Sequence, residues 1–558
     1  MKLRNIVVAS IIITAYIPVF YSARSSAVQN PGPEDIVPAS AAFHGRGARY
    51  SPGIDIFLFF IQKIAPASGR EKTIQWMNSF ASATGIDPGQ KNSLELHGFD
   101  TERPYAVSYF PMNEKEGDFL FVIPVKNGKT FPYKFVDIIR KKAGTKKNID
   151  IHPAITRYGS YSMFQIQKDI FFSSHEQYFL ISSSGTLLRN ALDCASKKAG
   201  SESLANDAGY RDFLNAAGEN YQVSLFARNG MSVTDALSPF ITPAPQNEDD
   251  EGDAPAASQG GKASVFGSTG ISISKSGNIF RCAFFSKLNP DNPASGILQK
   301  SIQARASDKC VFFKDFLFYS YLSFNPKPIH QFCEDERNSG TALCATFHEF
   351  SELLMKYTNL IIEKDFVNSF DGISNIAVKK SALQGHPDHY VLYFVMKDWQ
   401  SSEAFWNTMK EYLEDSEDIG YSFSEKKIGA APSFSITNVQ GSSTYYANSN
   451  DAFFISNNAE FLGRMIEEKK KDIQEICDTV SRKKIDPTVF TFTSITLEDD
   501  SFIKAILLLS TYNSNRLLYN IINNTRKMEM VGKINRNTIM FDLDIQTKNT
   551  ATSKPHNN

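Results

Sequence analysis

The chain has 558 residues, 42% hydrophobic and 21% charged, and its 59 Lys and Arg against 60 Asp and Glu leave a formal net charge of -1. That length excludes a single core, because cores stop growing near roughly 250–300 residues. The balanced charge excludes a chain drawn to nucleic acid or to an anionic membrane by its overall field. With 44 Phe, about twice average usage, the composition fits large sheet-and-helix cores and also suits a protein that handles apolar material.

Lys2 and Arg4 precede an apolar run from Ile6 to Tyr21, and Ser25-Ser26-Ala27 supplies the small residues a signal peptidase reads. Residues 1–27 therefore read as a signal peptide. The run is shorter than the roughly 20 residues a spanning helix needs, and Pro18 interrupts its far end, which favours cleavage. If uncleaved, residues 6–21 would give membrane association as an anchor. Residues 28–44 read as a flexible N-terminal segment leading into the first folded region.

Beyond it the sequence repeats itself. Tyr178 to Ser182 is an apolar run suited to a strand, and Leu187, Leu188, Ala191 and Leu192 follow at the spacing of one helix face. Ala452 to Ser456 and then Phe461, Leu462, Met465 and Ile466 repeat both features. Upstream, "FLFVIPVKN" from Phe119 lies on "YVLYFVMKD" from Tyr390, and Phe131, Phe135, Ile138 and Ile139 lie opposite Phe405, Met409, Tyr412 and Leu413. "GSYSMFQI" from Gly159 lies on "GAAPSFSI" from Gly429, "YQVSLFAR" from Tyr221 resembles "PTVFTFTS" from Pro487, and "GISISKSGNIFRCAFF" from Gly270 corresponds to "MEMVGKINRNTIMFDL" from Met528.

The order of elements predicts an α+β fold of two related tandem repeats, 45–295 and 305–546, each a mostly antiparallel sheet burying one face under amphipathic helices. The first contains a Pro-, Gly- and acid-rich insertion at 240–264 with no apolar period, expected to be disordered. At the corresponding place the second carries the apolar "SFIKAILLLSTYNSNRLLYNIINN" from Ser501, which predicts a helix. Residues 547–558 read as a disordered tail.

"TGIDPGQKNSLELHGFDTERPYAV" from Thr84, "YGSYSMFQI" from Tyr158, "YFLISSSGTLLRNALD" from Tyr178 and "SESLANDAGYRDFLNAA" from Ser201 give the chain a pattern that resembles a family of exported bacterial proteins, a domain of unknown function whose members carry two such halves. The resemblance implies an envelope location and no activity.

Motifs for chemistry are sparse. His386, Asp388 and His389 in "GHPDHY" are candidate metal ligands, although zinc catalysis wants three protein ligands in fixed geometry and the aligned "KEGDF" from Lys115 lacks both histidines. The acidic run from Glu248 to Asp253 lacks the ligand order of a calcium loop. "GGKAS" from Gly260 lacks the earlier glycine of a phosphate loop and its hydroxyl after Lys262, and no G-x-S-x-G elbow occurs. Ser182-Ser183-Ser184 invites a nucleophile, but its counterpart Ser456-Asn457-Asn458 shares with it only the ability to cap a helix. Of the 6 Cys, Cys333 and Cys344 are close enough in sequence to close a small loop; spacing alone leaves the pairing open.

The expectation is therefore an exported, non-catalytic protein, periplasmic or elsewhere in the cell envelope, with no catalytic residue and no cofactor assigned. It would bind or scaffold an envelope protein partner. Two alternatives stand beside it: a carrier of a lipid or other apolar ligand, and a hydrolase with a loop-borne site near His386 and His389.

Overall fold

A computed structural model describes residues 32–49, 90–111, 117–144, 154–167, 170–217, 221–228, 265–302, 309–310, 316–338, 341, 343–345, 347–348, 351–352, 364–381, 388–414, 422–449, 452–467, 471–472, 488–497 and 522–548. Residues 1–27, the insertion 240–264, His386 and most of the apolar stretch from Ser501 lie outside them. The fold is α+β, dominated by antiparallel sheet. It divides into two compact units, one formed by Ser22–Gly277 and Arg281–Asn289, the other by Asn278–Phe280 and Pro290–Asn558.

The first unit contains strands β1 (Phe43–Gly47), β2 (Tyr105–Pro111), β3 (Gly117–Pro124), β4 (Ala154–Tyr158), β5 (Tyr161–Gln167), β6 (Ile170–His175), β7 (Tyr178–Ser182), β8 (Val223–Arg228), β9 (Phe266–Ser276) and β10 (Ile279–Leu288). Their order across the sheet is β4-β5-β6-β7-β3-β2-β1-β8-β9-β10. Helices α1 (Lys91–Leu96), α2 (Phe131–Gly144), α3 (Gly185–Ala195) and α4 (Ala208–Ala217) complete it.

α2 presents Phe131 and Val136 to a cluster with Phe164, Phe172 and Phe179, while α3 buries Leu187, Leu188, Ala191 and Leu192, the stripe its spacing predicts. α4 closes the β8 side: the Phe213 ring lies 5.6 Å from Phe226 and 5.8 Å from Phe285.

The expectation of a flexible segment at 28–44 needs correction from residue 32 on; residues 28–31 lie outside the described residues. A 3-10 turn, η1 (Pro33–Asp35), and β1 are built from it; Ile36, Val37, Ala41 and Phe43 are buried, and β1 runs between β2 and β8 in full antiparallel register with both. Burying four apolar side chains and satisfying both edges of a strand outweighs the entropy of ordering the segment.

The second unit begins with helix α5 (Pro293–Ser301) and holds β11 (Lys309–Cys310), β12 (Phe318–Ser323), α6 (Lys327–Cys333), α7 (Lys364–Ser369), β13 (Phe370–Lys379), β14 (His389–Met396), α8 (Trp399–Glu414), β15 (Ser422–Ile428), β16 (Ala431–Thr437), β17 (Ser443–Ser449), β18 (Ala452–Ser456), α9 (Ala459–Glu467), β19 (Lys471–Asp472), β20 (Val489–Thr496), β21 (Thr525–Asn535) and β22 (Thr538–Thr547). The sheet order is β15-β16-β17-β18-β14-β13-β12-β20-β21-β22, with β11 and β19 paired separately.

Here the expectation of one buried face also needs correction. Alternate residues of a strand point to opposite faces. On one face Leu392, Phe394, Phe453 and Ile455 pack with Phe405 and Met409 of α8. On the other, Val391, Tyr393 and Phe454 pack with Phe461, Leu462 and Met465 of α9. Runs such as "HYVLYFVM" are continuous because both faces are covered.

Candidate functional site

The serine run and its counterpart hold turns and helix starts. Ser184 caps α3, its Oγ accepting from Leu187 N at 3.3 Å, and Asn458 caps α9, its Oδ1 accepting from Phe461 N at 2.8 Å. Ser182 and Ser456 tighten the two turns alike: each hydroxyl donates to the carbonyl two residues on (3.0 and 3.1 Å) and accepts that residue's N–H at 3.1 Å. The middle residues reach the neighbouring strand. Ser183 Oγ accepts from Phe119 N at 2.9 Å, and Asn457 Oδ1 accepts from Tyr390 N at 2.9 Å.

Of the candidate metal ligands, Asp388 and His389 are described and His386 is not. Asp388 is buried; its Oδ1 accepts from Ser381 N at 3.2 Å and its carbonyl accepts from Asn457 Nδ2 at 2.9 Å. His389 opens β14 opposite Lys379, with its ring 6.4 Å from that of Phe461. Among the described residues no three His, Cys, Asp or Glu side chains converge as a metal site. Cys333 and Cys344 are joined in a disulfide with Cα atoms 5.4 Å apart, while Cys194 and Cys282 are buried, the Cys194 Sγ donating to Glu202 O at 3.4 Å.

A dense polar cluster lies in the first unit, on residues the sequence reading passed over. Strand alternation puts His44 and Arg46 on one face of β1. Against them stand Glu34 from η1, Ser108 from β2 (opposite His44), Ser224 from β8 (opposite Arg46), and Tyr210 from α4. A terminal nitrogen of Arg46 lies 2.5 Å from Glu34 Oε1, which also accepts from Tyr210 OH at 3.1 Å. The guanidinium sits over the Tyr221 ring, 5.7 Å from its centroid.

His44 Nδ1 and Ser108 Oγ share a hydrogen bond of 2.8 Å, and Tyr210 sets its ring edge-on to the imidazole at 5.2 Å. Asp207, just ahead of α4, caps it through Tyr210 N at 2.7 Å and pairs with Arg228 at 2.8 Å.

Burial sets the electrostatics. His44 is 1% exposed, and burial followed by the Arg46 charge pulls its imidazole down to about 3, so it is neutral. Burial works against the Arg46 charge, but Glu34, Tyr221 and Tyr210 together more than offset it and hold the guanidinium above its usual value. Burial, reinforced by Glu34, raises Tyr210 well above the ordinary phenol; burial likewise pushes Tyr221 up to about 12.

Ser108 and His44 have the residue types of a nucleophile and its base. Both are buried under α4 and η1, and attack requires a reacting atom within reach of Oγ. The arrangement neutralises and fixes charge inside a sheet. A sequence signal was present: two charged or titratable residues two apart in "FHGRG", with Glu34 shortly before.

Among the described residues, no helix is long and apolar enough to cross a membrane. No protein-family model matches the chain, and no curated protein sequence does. Among solved structures, crystal form I of TP0453 is similar with a TM-score of 0.24 and 9% identity over 49% of this chain and 85% of that one. Crystal form III of TP0453 gives 0.24 and 9% over 52% and 91%. Likeness at this level decides nothing about fold or activity.

Proposed function

We propose that the chain is an exported, non-catalytic protein of the cell envelope, built as two related α+β repeats and acting by binding or scaffolding an envelope protein. The observation that carries the export reading is the Cys333–Cys344 disulfide, because such bridges persist in oxidising compartments. The basic and apolar N-terminal sequence, Lys2 to Tyr21, points the same way.

The repeat reading rests on the shared strand order of the two units and on their matching helix caps at Ser184 and Asn458. A binding role is favoured over catalysis because the hydroxyls of Ser182 to Ser184 and the carboxylate of Asp388 are engaged in holding turns together. It is favoured over the carrier because the aromatic stripes pack on one another, as where Trp406 meets Phe434 at 4.6 Å and Phe405 meets Phe453 at 5.0 Å.

The test is the mass of the protein recovered from its own envelope fraction, native and then denatured. Expected are a denatured mass beginning near Val28 and a native assembly containing a second protein. Recovery from the cytosol with a reduced Cys333–Cys344 pair would overturn export. A small apolar molecule released on denaturation would overturn scaffolding in favour of the carrier.

A further inference from the structure

The stretch from Gly32 to Gly47 is short, carries Glu34, His44 and Arg46, and is buried nonetheless. β1 fills the slot between β2 and β8, and the residues before it are fastened to one place: Leu204 N donates to Val37 O at 2.7 Å and Ala39 N to Glu202 O at 2.8 Å. Among the described residues, the backbone bonds that tie this segment to the rest of the chain go to β2, to β8 and to Glu202 and Leu204, all at least 58 positions further on, so it can separate as one piece.

His44 is the weak point of that attachment. Its Nδ1 is taken by Ser108, and Nε2 is buried with no hydrogen-bond partner. Protonation would place an N–H donor and a positive charge there. The charged and titratable groups around it on the packed elements are Arg46 on its own strand, Glu34 and Asp35 on η1, Tyr210 and Asp207 on or beside α4, Tyr221 and Arg228 on or beside β8, Tyr178 on β7 and Arg103 ahead of β2; Asp35 Oδ2 accepts from Gly32 N at 2.8 Å. Of these, Glu34 is engaged by Arg46 and Tyr210, and Asp207 by Arg228. A second cation two residues from Arg46 on the same face would face no free carboxylate in this set, and an uncompensated buried charge is strongly destabilising.

We propose that residues 32–47 form a proton-gated latch, in which protonation of His44 releases η1 and β1 from between β2 and β8. This goes beyond the binding role and does not depend on it. The direction follows from linkage. The imidazole takes up a proton more readily when the segment is free, so attachment is strongest above about pH 6.5 and weakens as pH falls toward 3. Between pH 7.5 and pH 5 the opening equilibrium rises about 30-fold.

Hydrogen exchange followed by mass spectrometry on the full-length chain, corrected for intrinsic rates, tests this. Peptides covering 36–49 should show the 30-fold rise on moving from pH 7.5 to pH 5, while peptides from α3 in the same unit hold their protection. In His44→Gln the rise should fall below 3-fold. Equal protection at the two pH values would overturn the latch, as would an undiminished rise in His44→Gln. Simultaneous loss of protection in α3 would overturn it too, since the event would then be unfolding of the whole unit. Should His44→Gln fail to fold, NMR titration of the wild-type histidines decides: the His44 resonance must move over the pH range in which 36–49 opens, and ordinary titration near 6.5 with unchanged protection would sink the proposal.

Discussion

Strands β1 and β12 hold the same place in their sheets, each between the first strand of the following hairpin and a strand supplied much later, and they fill it differently. β12 places Tyr319 and Tyr321 on one face, fully buried among Ile373, Val391 and Phe492, with Tyr319 OH donating to Asn375 at 2.9 Å. β1 places His44 and Arg46 on one face and draws in Glu34, Tyr210 and Ser108 to make them tolerable. A tyrosine brings its apolar bulk and needs one partner for its hydroxyl. An arginine in the same setting needs a carboxylate, and that carboxylate must be delivered by another element. The centre of the second unit is thus held largely by area, and that of the first by a set of mutual dependencies.

The sharpest way to break this comparison is Arg46→Ala. It strands Glu34, and the first unit should lose about 3–5 kcal/mol while the second keeps its stability; urea unfolding followed by exchange protection in each unit reads both, and equal losses would mean the units do not unfold separately. Next come Leu188→Ala and Leu462→Ala, fully buried on α3 and α9, each expected to cost its own unit about 3 kcal/mol. If instead one of these variants lowers both midpoints together, the contrast between the units has no thermodynamic meaning.

Cys333→Ser opens an 11-residue loop confined to the second unit and should lower its stability by about 2 kcal/mol, an effect that reducing agent reproduces in the wild type. The smallest pair is Ser184→Ala and Asn458→Ala. Each removes a helix cap worth about 1 kcal/mol, and near-equal losses would sharpen the likeness of the two turn-and-helix segments.

Much of this was legible in the sequence, for a local reason. The strand, turn and helix around Ser184 and around Asn458 are fixed by alternation, cap chemistry and helix spacing within twenty residues of chain. Gly159 and Gly429, matched in sequence, both sit in hairpin turns at φ 56° and 59°, where a side chain would be strained. The role of 32–47 was signalled only by the charges of "FHGRG" and Glu34; its place as a buried strand was not legible, because "FHGRG" has neither apolar alternation nor β-branched residues, and its environment comes from Ser108, Tyr210 and Phe226. The double-faced sheet was half legible: "VFTFTSIT" is buried almost throughout, a pattern that one-sided packing does not produce.

The position of β1 also has a consequence in time. It is the earliest described strand in the chain, yet its β8 partners lie about 180 residues later, so a chain emerging from the ribosome or through a membrane pore carries it exposed until they appear. Until then β2 can cover one edge, but the edge that faces β8 and the Ala227 side of the Phe43 ring have no native neighbour. The short, glycine-interrupted and charged character of "FHGRG", costly in the finished sheet, is what keeps a waiting strand from joining the wrong edge.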